Sequence, residues 1–311
     1  MDSKNKVSAI ITTHKRSVEI VRRAVMSVIR QTYENIEIIV VDDSPNDYPD
    51  RFLVESSVKQ LSLITDKKIL YVKHEAPRGA CAARNTGLNL CTGSIIGYLD
   101  DDDEWLPLKV EKMIEGFITD KIALVYCDSE VYNSSSNRLK KVIHKKRRGK
   151  IYSSLILRNY IGSTSFPLIR KECLISIGGF DEEMESAQDS DVWLRLSQQY
   201  EINYVNEILV RYHEHNGDRI SNNAHKKING LERINLKNMN YLLQHPNAFW
   251  VRYMKIIPYY FKASDKYSAW KTFFMCVKKC PWNLIGNIAV FLYCIIHTTS
   301  GEIILKYESN F

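Results

Sequence analysis

The stretch Ile95-Ile96-Gly97-Tyr98-Leu99-Asp100-Asp101-Asp102-Asp103-Glu104-Trp105 decides how this chain reads. An apolar, β-prone run stops in five consecutive acids, which predicts a buried strand whose acids sit at its carboxyl end, where open α/β sheets hold their ligands. Five adjacent carboxylates repel one another, so a cation and cationic side chains are expected to hold them beside a packed core. The alternative is an acidic turn that opens the next helix, whose N-terminus favours negative charge. Pro107 and the spacing of Val110, Met113, Ile114 and Phe117 do predict such a helix.

Upstream, short apolar runs alternate with helical patterns. Val7 to Ile11 reads as a strand, and residues 17–30 as a helix with Val21, Val25, Val28 and Ile29 on one face. Ile36 to Val41 reads as a second strand ending in Asp42-Asp43-Ser44-Pro45. Ile69 to Val72 is a third, followed by Arg78-Gly79 and a helix over residues 80–90. The acid-tipped strand is fourth, and the alternation predicts right-handed βαβ units in a mainly parallel sheet. All four strands end in polar residues, so their carboxyl ends should line one edge.

Downstream, Ala123 to Cys127 reads as a fifth strand. Residues 138–150, with Lys140, Lys141, Lys145, Lys146, Arg147 and Arg148, read as a solvated basic loop, with contact to an anionic acceptor or membrane surface as the functional alternative. Gly162 to Ser165 and Gly178-Gly179-Phe180-Asp181 punctuate a less regular region, and a helix is expected from Ala187-Gln188-Asp189-Ser190-Asp191 into Leu196. From residue 223 the period is helical throughout. Pro281 to Gly301 carries no formal charge, but its apolar core, Leu284 to Ile296, is shorter than the roughly 20 residues that span a bilayer. An interfacial or self-packed helix is expected, with Lys278 and Lys279 beside it.

The 311 residues, 45% of them hydrophobic, can bury a full core and leave room for an appendage. A net charge of +7 suits anionic partners such as nucleotide diphosphates without requiring nucleic acid. Seven scattered cysteines form neither a disulfide framework nor a zinc pattern, and residues 1–6 are too short for a signal peptide. Cytoplasmic residence is the expectation.

Six ordered motifs then carry a resemblance. They are Val7 to Arg16, Val41-Asp42-Asp43-Ser44, Arg78-Gly79 with Ala83-Arg84-Asn85-Thr86-Gly87, Tyr98 to Asp103, Gly178 to Asp181, and Gln188 to Asp191. Together they resemble the inverting, GT-A type glycosyltransferases of family 2, especially bacterial enzymes that build surface polysaccharides. The resemblance implies an α/β GT-A domain over residues 1–222, with a nucleotide-binding half (1–105) and an acceptor half (106–222), followed by a helical region over 223–311. It also implies transfer of a hexose or N-acetylhexosamine from a UDP-sugar to a glycan or lipid-linked acceptor of capsule, O-antigen or exopolysaccharide. The work would be done peripherally on the inner face of the cell membrane.

Residue by residue, Asp100-x-Asp102 matches the family's DxD element. This makes Asp102 the principal ligand of Mn²⁺ or Mg²⁺, with Asp100 and Asp101 holding ribose or water and Asp100 able to share the cation. Asp43 corresponds to the carboxylate that accepts the uracil imide hydrogen. Thr12 and His14 lie where the family contacts the base, although His14 departs from the commoner tyrosine, and Arg16 belongs to the same nucleotide-sugar set. Arg78 and Arg84 are placed to meet negative charge, with a structural salt bridge an equal alternative for Arg84. Asp189 matches the catalytic base, and Gln188 replaces the usual glutamate beside it. His215 matches the late histidine that approaches metal or diphosphate. Trp105 and Trp193 read as core or wall aromatics.

Two rivals remain at this stage. A sugar nucleotidyltransferase would need a glycine-rich signature after the first strand, and residues 12–17 contain no glycine. A non-catalytic glycan-binding relative would have no need for Asp189.

Overall fold

The computed structural model describes residues 6–133, 138–142, 146–214 and 223–299. The chain forms two units, residues 1–183 with 188–217 and residues 184–187 with 218–311.

In the first unit β1 (Val7–Thr13), α1 (Val18–Ile29), β2 (Ile36–Asp42), α2 (Arg51–Ser62), β3 (Ile69–Lys73), α3 (Ala80–Leu90) and β4 (Ile95–Asp100) alternate along the chain. β1 and β2 are almost wholly buried and apolar on both faces, as strands of a helix-covered parallel sheet must be. The strands run parallel in the order β3-β2-β1-β4, and Thr12 lies level with Val41 on one side and Asp100 on the other. That register brings the polar strand ends to one edge, as the sequence predicts. α2 carries little sequence signal because more than half its residues are polar, though Val54, Val58 and Leu61 give it a buried stripe.

The second half of the sheet is mixed. β5 (Glu104–Trp105), α4 (Lys109–Ile114), β6 (Ile122–Asn133), β7 (Arg138–Val142), α5 (Tyr152–Leu155), β8 (Leu168–Arg170), α6 (Lys171–Ser176), α7 (Gln188–Gln199) and β9 (Glu201–Glu214) follow in turn. The sheet continues β4-β8-β6-β9-β5, with β8 antiparallel to both neighbours and β6 parallel to β9. β4 and β5 are thus four strands apart in the sheet, about 19 Å if it were flat. Four residue steps reach at most about 14 Å. The sheet therefore curls until β5 returns beside β4, and the Trp105 ring covers Gly97 so closely that a Cβ there would lie 2.5 Å from it.

One alternative is excluded and one expectation is corrected here. The acids do not open the helix after Pro107: they form a turn, closed by Asp103 N–H on the Asp100 carbonyl at 3.0 Å, that leads into β5. The basic segment is not simply a solvated loop, because residues 138–142 pair with β6, Lys146 meets Asp128 at 2.7 Å, and Arg147 is bonded through its backbone to the Tyr126 hydroxyl. Lys145 lies outside the described residues.

The second unit is helical: α8 (Ala224–Lys237), α9 (Met239–Gln244), α10 (Pro246–Met254), α11 (Ile257–Lys262), α12 (Lys266–Lys279) and α13 (Leu284–Thr299). Asn223 and Asp265 cap α8 and α12 by accepting from the backbone three residues on. α12 and α13 pack through Trp270 and Phe273 against Phe291, and Leu284, Ile285, Ile288, Leu292, Ile295 and Ile296 of α13 stay exposed along one face. Among the described residues no helix is long and apolar enough to cross a membrane.

Candidate active site

Loops after four parallel strands meet at the carboxyl edge. At the end of β2, Asp43 is buried, and its carboxylate accepts from Arg78 N–H at 2.7 Å, Gly79 N–H at 2.8 Å and His74 Nδ1 at 2.7 Å. The other ring nitrogen of His74 meets Thr86 Oγ1 on α3 at 2.9 Å. Asp43 thus holds the turn that launches α3, and Gly79, at φ 93°, supplies a backbone conformation that side chains resist. From the other side His14 Nδ1 donates to the Asp43 carbonyl at 2.8 Å, its ring half exposed at the rim. Thr12 is partly exposed beside Asp100.

The five acids divide by the pleat and the turn. Asp101 and Asp103 point inward. Arg16 Nε donates to Asp101 at 3.0 Å, while Asp103 accepts from Ser165 Oγ at 2.6 Å and His213 N–H at 3.2 Å. Burial pushes Asp101 up to about 6 against the pull of Arg16, and drives Asp103 well above the usual carboxylate range. Asp100, Asp102 and Glu104 keep 28%, 20% and 21% of their side-chain surface exposed. Arg16 Nη2 reaches Asp102 at 2.9 Å, Arg23 donates to the Asp102 carbonyl at 2.8 Å, and His213 meets Glu104 at 2.6 Å, which holds Glu104 below its ordinary pKa.

After the Arg78-Gly79 turn, α3 carries three adjacent side chains with distinct partners. Arg84, buried, pairs with Asp100 at 2.9 Å and donates to Gln188 Oε1 at 2.9 Å. Asn85 exchanges bonds with the Phe180 backbone, and Thr86 meets His74. Gly87 lets α3 lie against β1, since a Cβ there would come within 2.3 Å of Ile10. Gly179, at φ 66°, seats the Gly178 to Asp181 loop on Asn85, and Arg195 ties the same loop through the carbonyls of Ile177 and Gly179. Asp191 is buried and bound to Arg195 at 2.7 Å, which makes it the anchor of that loop. Asp189 lies in the first turn of α7, partly exposed, with Asn159 Nδ2 at 3.4 Å.

The structure therefore brings Thr12, His14, Arg16, Asp43, Arg84, Asp100, Asp101 and Asp102 to one edge. Of the two readings of Arg84, it selects the buried ion pair. Arg78 contributes its backbone to Asp43, while its half-exposed side chain approaches Glu182 at 3.6 Å. Trp105 and Trp193 are buried core residues. His215 lies outside the described residues, and its neighbour His213 is buried against Glu104. Sequence reading missed His74, Thr164 and Ser165 as site residues. Thr164 Oγ1 donates to Asp100 at 2.9 Å, yet Ser163-Thr164-Ser165 carries only the signal of a turn.

The donor atoms fit a hard divalent cation. Among the described residues no group of three or more His, Cys, Asp or Glu side chains is arranged to hold a metal ion by itself. Asp100 and Asp102 are oxygen donors left partly open, and Mg²⁺ or Mn²⁺ bound by one or two carboxylates completes its shell with phosphate oxygens and water.

Residues 8–178 match the family model of glycosyl transferase family 2. Over 219 residues the chain is 31% identical to WcaA of Escherichia coli (strain K12), a glycosyl transferase named for colanic acid biosynthesis, covering 67% of this chain and 72% of that one. It is 28% identical over 198 residues to the Escherichia coli UDP-Glc:alpha-D-GlcNAc-diphosphoundecaprenol beta-1,3-glucosyltransferase WfgD, covering 64% of this chain and 72% of that one. Among solved structures, S. aureus TarS 1-349 in complex with UDP-GlcNAc aligns with a TM-score of 0.57 at 14% identity, over 86% of this chain and 90% of that one. At that identity the likeness speaks to the fold, which is the GT-A arrangement of a curled, mainly parallel sheet. The family match covers more than half of the chain and the edge built above from its strands, so the chain belongs to the family 2 glycosyltransferases.

Proposed function

We propose that this glycosyltransferase moves a hexose or N-acetylhexosamine from a UDP-sugar to a glycan or lipid-linked acceptor of a surface polysaccharide, with inversion at the anomeric carbon. The observation that carries this reading is the split of the acid turn: Asp101 and Asp103 are buried in the fold, while Asp100 and Asp102, although bonded to Arg84 and Arg16, keep part of their side-chain surface exposed at the carboxyl edge. Asp102 and Asp100 would hold Mn²⁺ or Mg²⁺, whose charge offsets the departing diphosphate. His14 and Thr12 line the place of the base, and Asp43 shapes it by holding the Arg78-Gly79 turn. Arg16 lies within reach of the diphosphate charge.

Asp189 accepts the proton of the acceptor hydroxyl as that oxygen attacks the anomeric carbon from the face opposite the leaving group. Asp191 is left to the loop anchor, which supports the assignment. Acceptors carried on lipid suit the second unit, whose exposed apolar α13 face lies beside Lys278 and Lys279 and would rest on the inner face of the membrane. Transfer assayed over a panel of UDP-sugars with a lipid-linked glycan, with and without Mn²⁺, tests the reading. Transfer that is indifferent to chelation would remove the metal, and no turnover of any nucleotide-sugar would leave a binding protein in its place.

A further inference from the structure

Arg84 is 8% exposed, and a buried guanidinium is costly unless it is paired and bonded. It lies over the Phe180 ring at 5.3 Å, with Nη2 on Asp100 and Nη1 on Gln188, while its Nε is buried with no hydrogen-bond partner. Packing alone would be better served by an apolar side chain of the same size. What the guanidinium adds is a rigid, planar fork with a fixed spacing between its two ends. One end grips the carboxylate at the tip of β4, and the other grips the first residue of α7.

Gln188 immediately precedes Asp189, so their Cα atoms are about 3.8 Å apart across one peptide. Asn159 approaches Asp189 from another direction at 3.4 Å. The start of α7 is thereby referenced to Asp100, a residue 88 positions earlier that lines the donor edge. The amide oxygen of Gln188 makes this contact without adding a second negative charge beside the base.

We infer that Arg84 and Gln188 are positioning residues: through them the donor-edge carboxylate Asp100 sets the orientation of Asp189 toward the acceptor hydroxyl. The inference rests on Asp189 being the base. Orientation errors near 1 Å can cost on the order of 10²-fold in rate, so loss of one hydrogen bond at the helix start should be visible in turnover.

Arg84 variants risk the fold, so the test is made at partly exposed Gln188. The full-length protein is measured for UDP-sugar affinity by calorimetry, for single-turnover transfer at saturating donor, and for thermal melting. Gln188→Ala should reduce the single-turnover rate about tenfold while donor affinity stays within about twofold, because the loss is in orientation and not in binding. Gln188→Glu, which keeps the acceptor atom for Arg84, should return the rate to within about threefold of the native value. An unchanged rate in Gln188→Ala overturns the inference. So does a loss of rate and donor affinity together that Gln188→Glu fails to restore, the signature of a damaged fold. Asp189→Asn is run alongside: full activity there would topple the base assignment itself, whereas an inactive Asp189→Asn beside a normal Gln188→Ala would sink only the positioning role.

Discussion

Carboxylates sit at opposite ends of the parallel strands, Glu37 at one and the acid turn at the other. At the amino end Glu37 is surrounded by donors: Lys6 Nζ at 2.7 Å, Ser8 Oγ at 2.6 Å, and the N–H and Oγ1 of Thr92 at 2.6 and 2.8 Å. Burial alone would raise its pKa, and these bonds overcome that and hold it down to about 2. At the carboxyl end Asp101 is pushed up to about 6, and its neighbours Asp100 and Asp102 are left partly open. The residue type is nearly the same, but the number of donors supplied by the fold is not. A fully enclosed carboxylate stabilises the protein, and a group of carboxylates that keep exposed surface is a place where something else can bind.

The sharpest way to break that contrast is at the base. Asp189→Asn should lower single-turnover transfer by about 10² to 10⁴ with donor affinity within a few-fold, since general-base catalysis is typically worth that much. Asp191→Asn should instead loosen Arg195 and show itself in thermal melting. Next in size, Asp102→Asn should weaken metal-dependent UDP binding by about 10²-fold, roughly 2.7 kcal/mol, and a chelator should do the same to the native protein. Calorimetry of UDP with Mn²⁺ reads both, and the melting temperature without ligand should barely move.

At the opposite end Glu37→Gln should cost on the order of 2 kcal/mol of stability at pH 7 and leave UDP binding untouched. The sign follows from a folded pKa near 2 against an ordinary 4.5. The contribution is complete above about 4.5, fades as the pH falls toward 2, and is absent below it, so the native and variant denaturation curves should converge in acid. The smallest effect is expected at Gly87→Ala, where the new methyl must displace Ile10. About 1 kcal/mol of stability should be lost there, read by denaturant titration.

The carboxyl edge of the parallel strands was legible in the sequence because its determinants are local. A β-prone run ending in acids and a helix beginning after Arg78-Gly79 are each contained within a dozen residues, and the parallel run of the first four strands follows from their alternation with helices. What stayed hidden depends on partners far away. Whether Arg84 meets a ligand or Asp100 is decided by where α3 packs, and the duties of Asp189 and Asp191 separate only when Arg195 is seen to claim one of them. β7 reads as loop in the sequence because a lysine-rich strand at a sheet edge lacks the apolar alternation that betrays a half-buried one. The division of the acid run was hidden for a similar reason. Alternation predicts that neighbours differ, but Ser165 and His213 determine which of them are satisfied.

The curl of the sheet bears on when this protein becomes competent during synthesis. β5 is made directly after β4, yet its pairing partner lies in β9, where Glu104 sits opposite Arg211. On the ribosome the first four strands can collapse among themselves, because their contacts are short in sequence. The acid turn has to wait for about a hundred more residues before its second strand has anything to join. A nascent chain would carry Asp100 to Glu104 as an unclosed, self-repelling loop until β9 emerges. Closure of the acid turn is thus built into a late stage of the first unit's assembly, and a chain interrupted before residue 200 would leave β5 without its pairing strand.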